Sequence, residues 1–211
     1  SVPYNLIDSG QHAAFSRTLR GELRVREPDA TLRVGDDIAT LGAAGAWMAK
    51  ALGYGLLRPA HLKRSLFRGE GGICLVHGDT PTTLLAAVLA RRAGLRVAHV
   101  EAGLRSYDYL NPFPEELIRV LVMRWSDVLF ASSEWAAANL TRMGLGERCV
   151  RVGGNTVVQA LAFSLQGAPV HRRPLDAYGL VTIHRVENLH RPGRLATIVS
   201  LLLELSERRP L

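Results

Sequence analysis

Val-His-Gly-Asp-Thr-Pro-Thr-Thr at 76–83, Ala-His-Val-Glu-Ala-Gly-Leu-Arg at 98–105 and Asn-Pro-Phe-Pro-Glu-Glu-Leu-Ile-Arg at 111–119 mark out one stretch of the chain. Each places a carboxylate where a strand or loop hands over to the next element: Asp79, Glu101 and the Glu115–Glu116 pair. The apolar run Ile73–His77, preceded by glycines, predicts a short buried strand. Thr80-Pro81-Thr82-Thr83 supplies N-cap and first-turn chemistry for a helix over 82–93, and Gly94 stops it. Arg96–Val100 reads as the next strand and 114–123 as the next helix.

The same alternation extends outward. Strands are expected at 4–8, 128–131, 149–152 and 178–183, and helices at 12–20, 37–52, 59–67, 132–143, 155–164 and 192–207. Residues 22–35 read as irregular. Strand and helix alternating at this spacing predict a parallel sheet covered on both faces. Residues 166–176, rich in Pro and Arg and without periodicity, read as a linker between a domain over 1–165 and the start of a second over 177–211. Both ends of the chain are expected to be incomplete. Gly42 and Gly45 fall within the expected helix 37–52, where they signal tight packing rather than a dinucleotide turn.

Bulk properties narrow the function. The 211 residues are 47% hydrophobic with a formal charge of +7. Lys50 and Lys63 are the only lysines among 26 basic residues. That arginine bias fits genome composition or heat adaptation, and also an anionic ligand such as a phosphate ester. The arginines are scattered and do not interleave with aromatics, which argues against nucleic acid. No run approaches the roughly 18 apolar residues of a membrane span, and no signal peptide is visible, so a soluble cytoplasmic protein is expected. Cys74 and Cys149 have no metal-ligand spacing, and Cys74 reads as a buried thiol.

In open parallel sheets ligands bind beyond the carboxyl ends of the strands. Asp79, Glu101 and His184 each follow a predicted strand, so one edge collects three ionisable groups. Taken singly, Asp79 reads equally as a helix cap, and Glu115 and Glu116 as carboxylates favoured at a helix N-terminus. His184 reads equally as a structural histidine. Arg105 and Arg119 are candidates to pair with the glutamates. His184-Arg185-Val186-Glu187-Asn188 opens an element with a cation pair suited to a diphosphate. No Gly-x-Gly-x-x-Gly follows a strand, no phosphate-loop lysine motif is present, and no His/Cys cluster suggests zinc. The pattern is one of carboxylates with His and Arg and no redox cofactor.

Five motifs in order then establish a resemblance: Val-His-Gly-Asp-Thr-x-Thr-Thr, His-Val-Glu-Ala-Gly-Leu-Arg, Pro-x-Pro-Glu-Glu, Gly-Asn-Thr-Val at 154–157 and Thr-x-His-Arg-x-Glu-Asn at 182–188. Over roughly residues 72–190 the chain resembles the non-hydrolysing UDP-N-acetylglucosamine 2-epimerases. Gln11-His12 is similar to the family's early Gln-His. The resemblance implies an α/β fold of two Rossmann-like domains of the glycosyltransferase-B type, the second truncated here. It implies a UDP-sugar substrate, a homodimer, no cofactor and no metal. The implied reaction interconverts UDP-GlcNAc and UDP-ManNAc; the alternatives are a hydrolysing epimerase that releases ManNAc, against which residues 99–105 argue, and a sugar-nucleotide-dependent glycosyltransferase of the same fold. The C2 proton of the sugar has no adjacent carbonyl, so inversion requires oxidation or elimination. With no nicotinamide fingerprint, elimination and re-addition of UDP is the expected route. By the resemblance, Asp79, Glu101, Glu115 and His184 are catalytic, and Arg185, Glu187, Asn188, Arg105 and Gln11 bind substrate. The chain departs from the family in lacking its first strand with Gly-Thr-Arg-Pro-Glu and its C-terminal nucleotide-holding segment. Ile118 and Gln159 stand where Asn and Asp are usual, and Ala14 where a second early Gln is common.

Overall fold

The computed structural model describes residues 2–10, 13–32, 41–69, 71–166, 181–183 and 192–208. The chain divides into two compact units, residues 1–166 and 167–211. In the second unit the described residues form one helix, α8 (Pro192–Arg208), and 181–183 are not in a strand.

The first unit is built on a parallel sheet, β3-β4-β5-β6, made of Ile73–His77, Arg96–Val100, Val128–Ala131 and Cys149–Arg151. Before it come a two-stranded parallel pair, β1 (Ile7–Asp8) and β2 (Ala30–Thr31), and the helix α1 (Ala13–Glu22). The helices α2 (Leu41–Leu57) and α3 (Pro59–Ser65) lead into β3. The helices α4 (Pro81–Arg92), α5 (Glu115–Trp125) and α6 (Glu134–Arg142) connect successive strands, and α7 (Thr156–Leu165) follows β6. Successive strand residues point to opposite faces. Val97, Ala98 and His99 on β4 are all 0% exposed, so both faces of the sheet are covered there.

Two apolar cores flank α5. One packs Leu62, Val76, Leu85, Leu89 and Val97 with Ile118 and Val122. The other packs Leu129, Ala131, Ala136 and Leu140 with Val120 and Met123. Apolar positions at 118, 120, 122 and 123 thus serve opposite sides of one helix, which fixes α5 against the sheet.

Of the strand expected at 4–8 only Ile7–Asp8 forms, and 181–183, within the strand expected at 178–183, are not in one; four further expectations need correction. β2 arises within the stretch read as irregular, because pairing with β1 overrides its weak local pattern. β3 is not buried along its length: Ile73 is 46% and Leu75 64% exposed while Val76 is 5% exposed, because alternate residues point to opposite faces and only one face of β3 is covered by the described residues. Cys74 is half-buried rather than buried, although burial still pushes its thiol up to about 11. Gly42 and Gly45 have open space around them, and the close helix packing falls at Gly55, where a Cβ would meet Leu89 Cδ2 at 2.3 Å.

Candidate active site

The carboxyl ends of β3 and β4 bring ionisable side chains together. His77 ends β3, Gly78 turns the chain with φ +75°, and Asp79 follows. The turn is secured from α4. Thr80 Oγ1 accepts from the Thr83 amide at 3.3 Å, and the Thr83 hydroxyl donates to the His77 carbonyl at 2.7 Å. Asp79 is therefore free of capping duty. Its carboxylate instead accepts a hydrogen bond from Arg119 Nη2, across 40 residues of chain.

On β4 the chain leaves the strand at Glu101, whose φ is +64°. A β-carbon makes that region costly, and such strain concentrates at functional sites. It is held there by the Ala102 amide, which donates to Phe130 O at 3.0 Å. The Glu101 side chain meets residues from two other elements. Oε1 accepts from Asn155 Nδ2, and Oε2 lies 3.6 Å from His77 Nε2. His77 Nε2 is also 3.2 Å from Thr156 Oγ1. Asn155 is N-cap of α7, accepting from the Val157 amide at 2.9 Å, so the start of α7 presents both its Asn and its Thr to the end of the sheet.

Glu116 joins the two halves. It is fully buried and accepts from Arg105 Nε at 2.5 Å, Arg119 Nη1 at 2.7 Å and the Ser106 amide at 3.1 Å. Burial by itself would raise its pKa, but these donors outweigh burial and hold the carboxyl below the usual 4.5. Arg119 thus spans two carboxylates, Glu116 through Nη1 and Asp79 through Nη2. Arg105 stacks its guanidinium 4.7 Å from the Tyr107 ring centroid, and the Tyr107 hydroxyl donates to Asn139 Oδ1 at 2.5 Å. Asn139, also fully buried, donates to Gly103 O at 2.9 Å. The loop after Glu101 is thereby fastened to α5 at one point and to α6 at another.

Of the residues singled out in the sequence, Asp79, Glu101 and Arg105 lie on this edge and its adjoining loop. Glu115 opens α5, and its Oε2 is buried with no partner among the described residues. Gln11, His184, Arg185, Glu187 and Asn188 lie outside the described residues. Sequence reasoning passed over His77, Asn155 and Thr156 as site residues. Their signals were present: a titratable residue closing a strand, and a Gly-Gly-Asn-Thr cap entering a helix. Among the described residues no group of three or more His, Cys, Asp or Glu side chains could hold a metal ion. The arrangement offers two carboxylates on neighbouring strand ends with different partners, a guanidinium for one and an amide with an imidazole for the other. That is a setting for acid–base chemistry on a bound substrate.

The family model described as UDP-N-acetylglucosamine 2-epimerase matches residues 1–211. The UDP-N-acetylglucosamine 2-epimerase of Methanocaldococcus jannaschii is 33% identical, over 98% of this chain and 56% of its own length. That of Methanococcus maripaludis is 29% identical, over 96% and 55%. The crystal structure of the M. jannaschii UDP-GlcNAc 2-epimerase in complex with UDP-GlcNAc and UDP superposes with a TM-score of 0.75 at 31% identity, covering 98% of this chain and 56% of that one. The chain spans about half the length of the curated relatives it matches. Its α/β fold is that of one part of these glycosyltransferase-B-type enzymes. Five ordered motifs, a matching fold and a family match over residues 1–211 make this chain a member of the UDP-N-acetylglucosamine 2-epimerase family.

Proposed function

We propose that the complete protein containing this chain interconverts UDP-GlcNAc and UDP-ManNAc by eliminating UDP and adding it back. One carboxylate takes the C2 proton while the C1–O bond to UDP breaks, leaving a C1=C2 double bond and bound UDP. UDP oxygen then re-forms the bond at C1, and a proton reaches C2 on the opposite face. Atoms balance without an external oxidant, which suits a site built from proton-transfer groups.

The observation that carries this reading is the pair Asp79 and Glu101, set at neighbouring strand ends and each held by a different partner. Glu115, with a buried carboxylate oxygen and no partner among the described residues, is a third candidate for proton transfer. His184 and Arg185 are assigned to the departing diphosphate, with Glu187, Asn188, Arg105 and Gln11 toward the rest of the substrate. The protein is read as a cytoplasmic homodimer that needs no cofactor and binds neither nucleic acid nor membrane. No helix among the described residues is long and apolar enough to cross a membrane.

The full-length protein, given UDP-GlcNAc in D2O, is expected to form UDP-ManNAc carrying deuterium at C2. Product that keeps protium overturns the elimination route. Free ManNAc and UDP as end products place the protein with hydrolysing epimerases instead.

A further inference from the structure

His99 is a buried imidazole that the proposed reaction does not use. It sits in the middle of the sheet, paired in register with Val76 on β3 and Leu129 on β5, and is 0% exposed. Its Nε2 lies 2.8 Å from the carbonyl oxygen of Gly78. A carbonyl only accepts, so Nε2 carries the proton. Nδ1 is buried without a partner among the described residues. Burial pulls the ring's pKa down, more than the Gly78 contact raises it, and the imidazole is neutral near pH 7.

A leucine of similar volume would fill this place without burying an unpaired nitrogen, and so with less cost. The residue type therefore answers to something other than core packing. Gly78 has φ +75°, and a glycine turn is intrinsically soft. Its peptide N–H donates to Val100 O at 3.3 Å, and its C=O accepts from His99. The Gly78 carbonyl and the Asp79 nitrogen share one planar peptide unit. Whatever holds that oxygen sets the plane from which the Asp79 side chain grows toward Arg119.

We infer that His99 is a positioning residue: through its hydrogen bond to Gly78 O it fixes the 78–79 peptide plane and aims Asp79 at the reacting sugar. This rests on the epimerase reading of the site. The charged and titratable groups that act on His99 are His77 and Asp79 at the end of β3 and Arg119 on α5.

The test compares His99→Leu, His99→Gln and His99→Asn with the wild type in the full-length protein. Glutamine places an amide N–H near the position of Nε2, leucine has no donor, and asparagine is too short to reach. Misplacement of a reacting group by about 1 Å costs on the order of 100-fold in rate, so kcat of His99→Leu is expected to drop roughly 10- to 100-fold with KM little changed. His99→Gln restores most of kcat, and His99→Asn does not. Wild-type kcat in His99→Leu, or equal kcat in the Gln and Asn variants, overturns the inference. The Gln–Asn comparison decides the matter if the leucine variant does not fold. Nitrogen chemical shifts of the wild-type imidazole give a readout without substrate. A proton on Nδ1 overturns the role of His99, whereas a wild-type protein that leaves UDP-GlcNAc unchanged overturns the epimerase reading alone.

Discussion

Glu115 and Glu116 are adjacent carboxylates in one helical turn with opposite surroundings. At the level of the sequence both fit a helix N-terminus, where acidic groups complement the backbone dipole. The structure separates them. Glu116 is fully buried and accepts from two guanidiniums and a backbone amide, while Glu115 has a buried oxygen with no partner among the described residues. The pairing of Arg105 and Arg119 with a glutamate was legible, but the choice of glutamate was not. It depends on how the loop after Glu101 returns to α5, a matter of tertiary path that no spacing encodes. Neutralising Glu116 by Gln removes a buried anion from between two half-buried cations, and breaking a buried pair typically costs about 3–5 kcal/mol. Glu116→Gln is expected to unfold at markedly lower denaturant and to lose turnover through a loosened Arg119. A variant as stable as wild type would show the hub to be solvated. Asp79→Asn and Glu101→Gln make the opposite comparison, since both lie part-exposed at strand ends. Each is expected to fold normally and lose most of its turnover, measured as product formed from UDP-GlcNAc. Near-normal rates in both would reduce them to turn residues.

At the scale of elements the strands over 73–77, 96–100 and 128–131 were read to the residue; the first is bounded by glycines and the third by Asp127 and Ser132, which leaves little choice of boundary, and the second follows the Gly94 helix stop. Helix ends shifted by a residue or two except at α2, which was expected to end at 52 and runs on to Leu57 in a stretch with no capping signal. The two-residue strand β2 was invisible, since its identity comes from its partner. The loop that sets the site was legible only as a motif, and the structure supplies its reason. Gly103 has φ +89° and passes so close to α6 that a Cβ would lie 2.2 Å from Ala136 O. Its amide also lies 3.1 Å from Met123 Sδ. Gly103→Ala meets a left-handed penalty of about 1–2 kcal/mol and an overpacking cost of about 1–3 kcal/mol. The chain must then move off α6, carrying Glu101 and Arg105 with it. Loss of both stability and turnover is expected, read from a denaturation curve and an activity assay on one preparation. Unchanged stability would mean that the loop can leave α6 freely.

At the scale of the whole first unit, the shifted groups act together on stability as pH changes. Stability rises with pH wherever the unfolded chain binds more protons than the folded one. His99, depressed from 6.5 by burial, stays neutral when folded while the unfolded chain takes a proton, so its contribution is lost as pH falls below about 6.5. Glu116 and Asp8 are held below 4.5 and 3.8, and Asp29 is lowered from 3.8 to about 2 by Arg26 and the Leu6 amide. Their contributions are lost in turn as pH falls further, so the acid limb has two steps of the same sign. Cys74 acts at the other end: its folded pKa of about 11 against 9.0 means the folded chain keeps a proton the unfolded chain gives up, so stability falls above about pH 9. The expected profile of denaturation midpoint against pH is a plateau between about 6.5 and 9, falling on both sides. His99→Gln should remove the first acid step and leave the second, moving the onset of loss to about pH 4.5. Cys74→Ala should make the alkaline limb shallower, leaving the part due to Cys149, whose thiol burial also raises. A wild-type midpoint at about pH 5 equal to that on the plateau would mean that His99 is reached by solvent and protonates in the folded state.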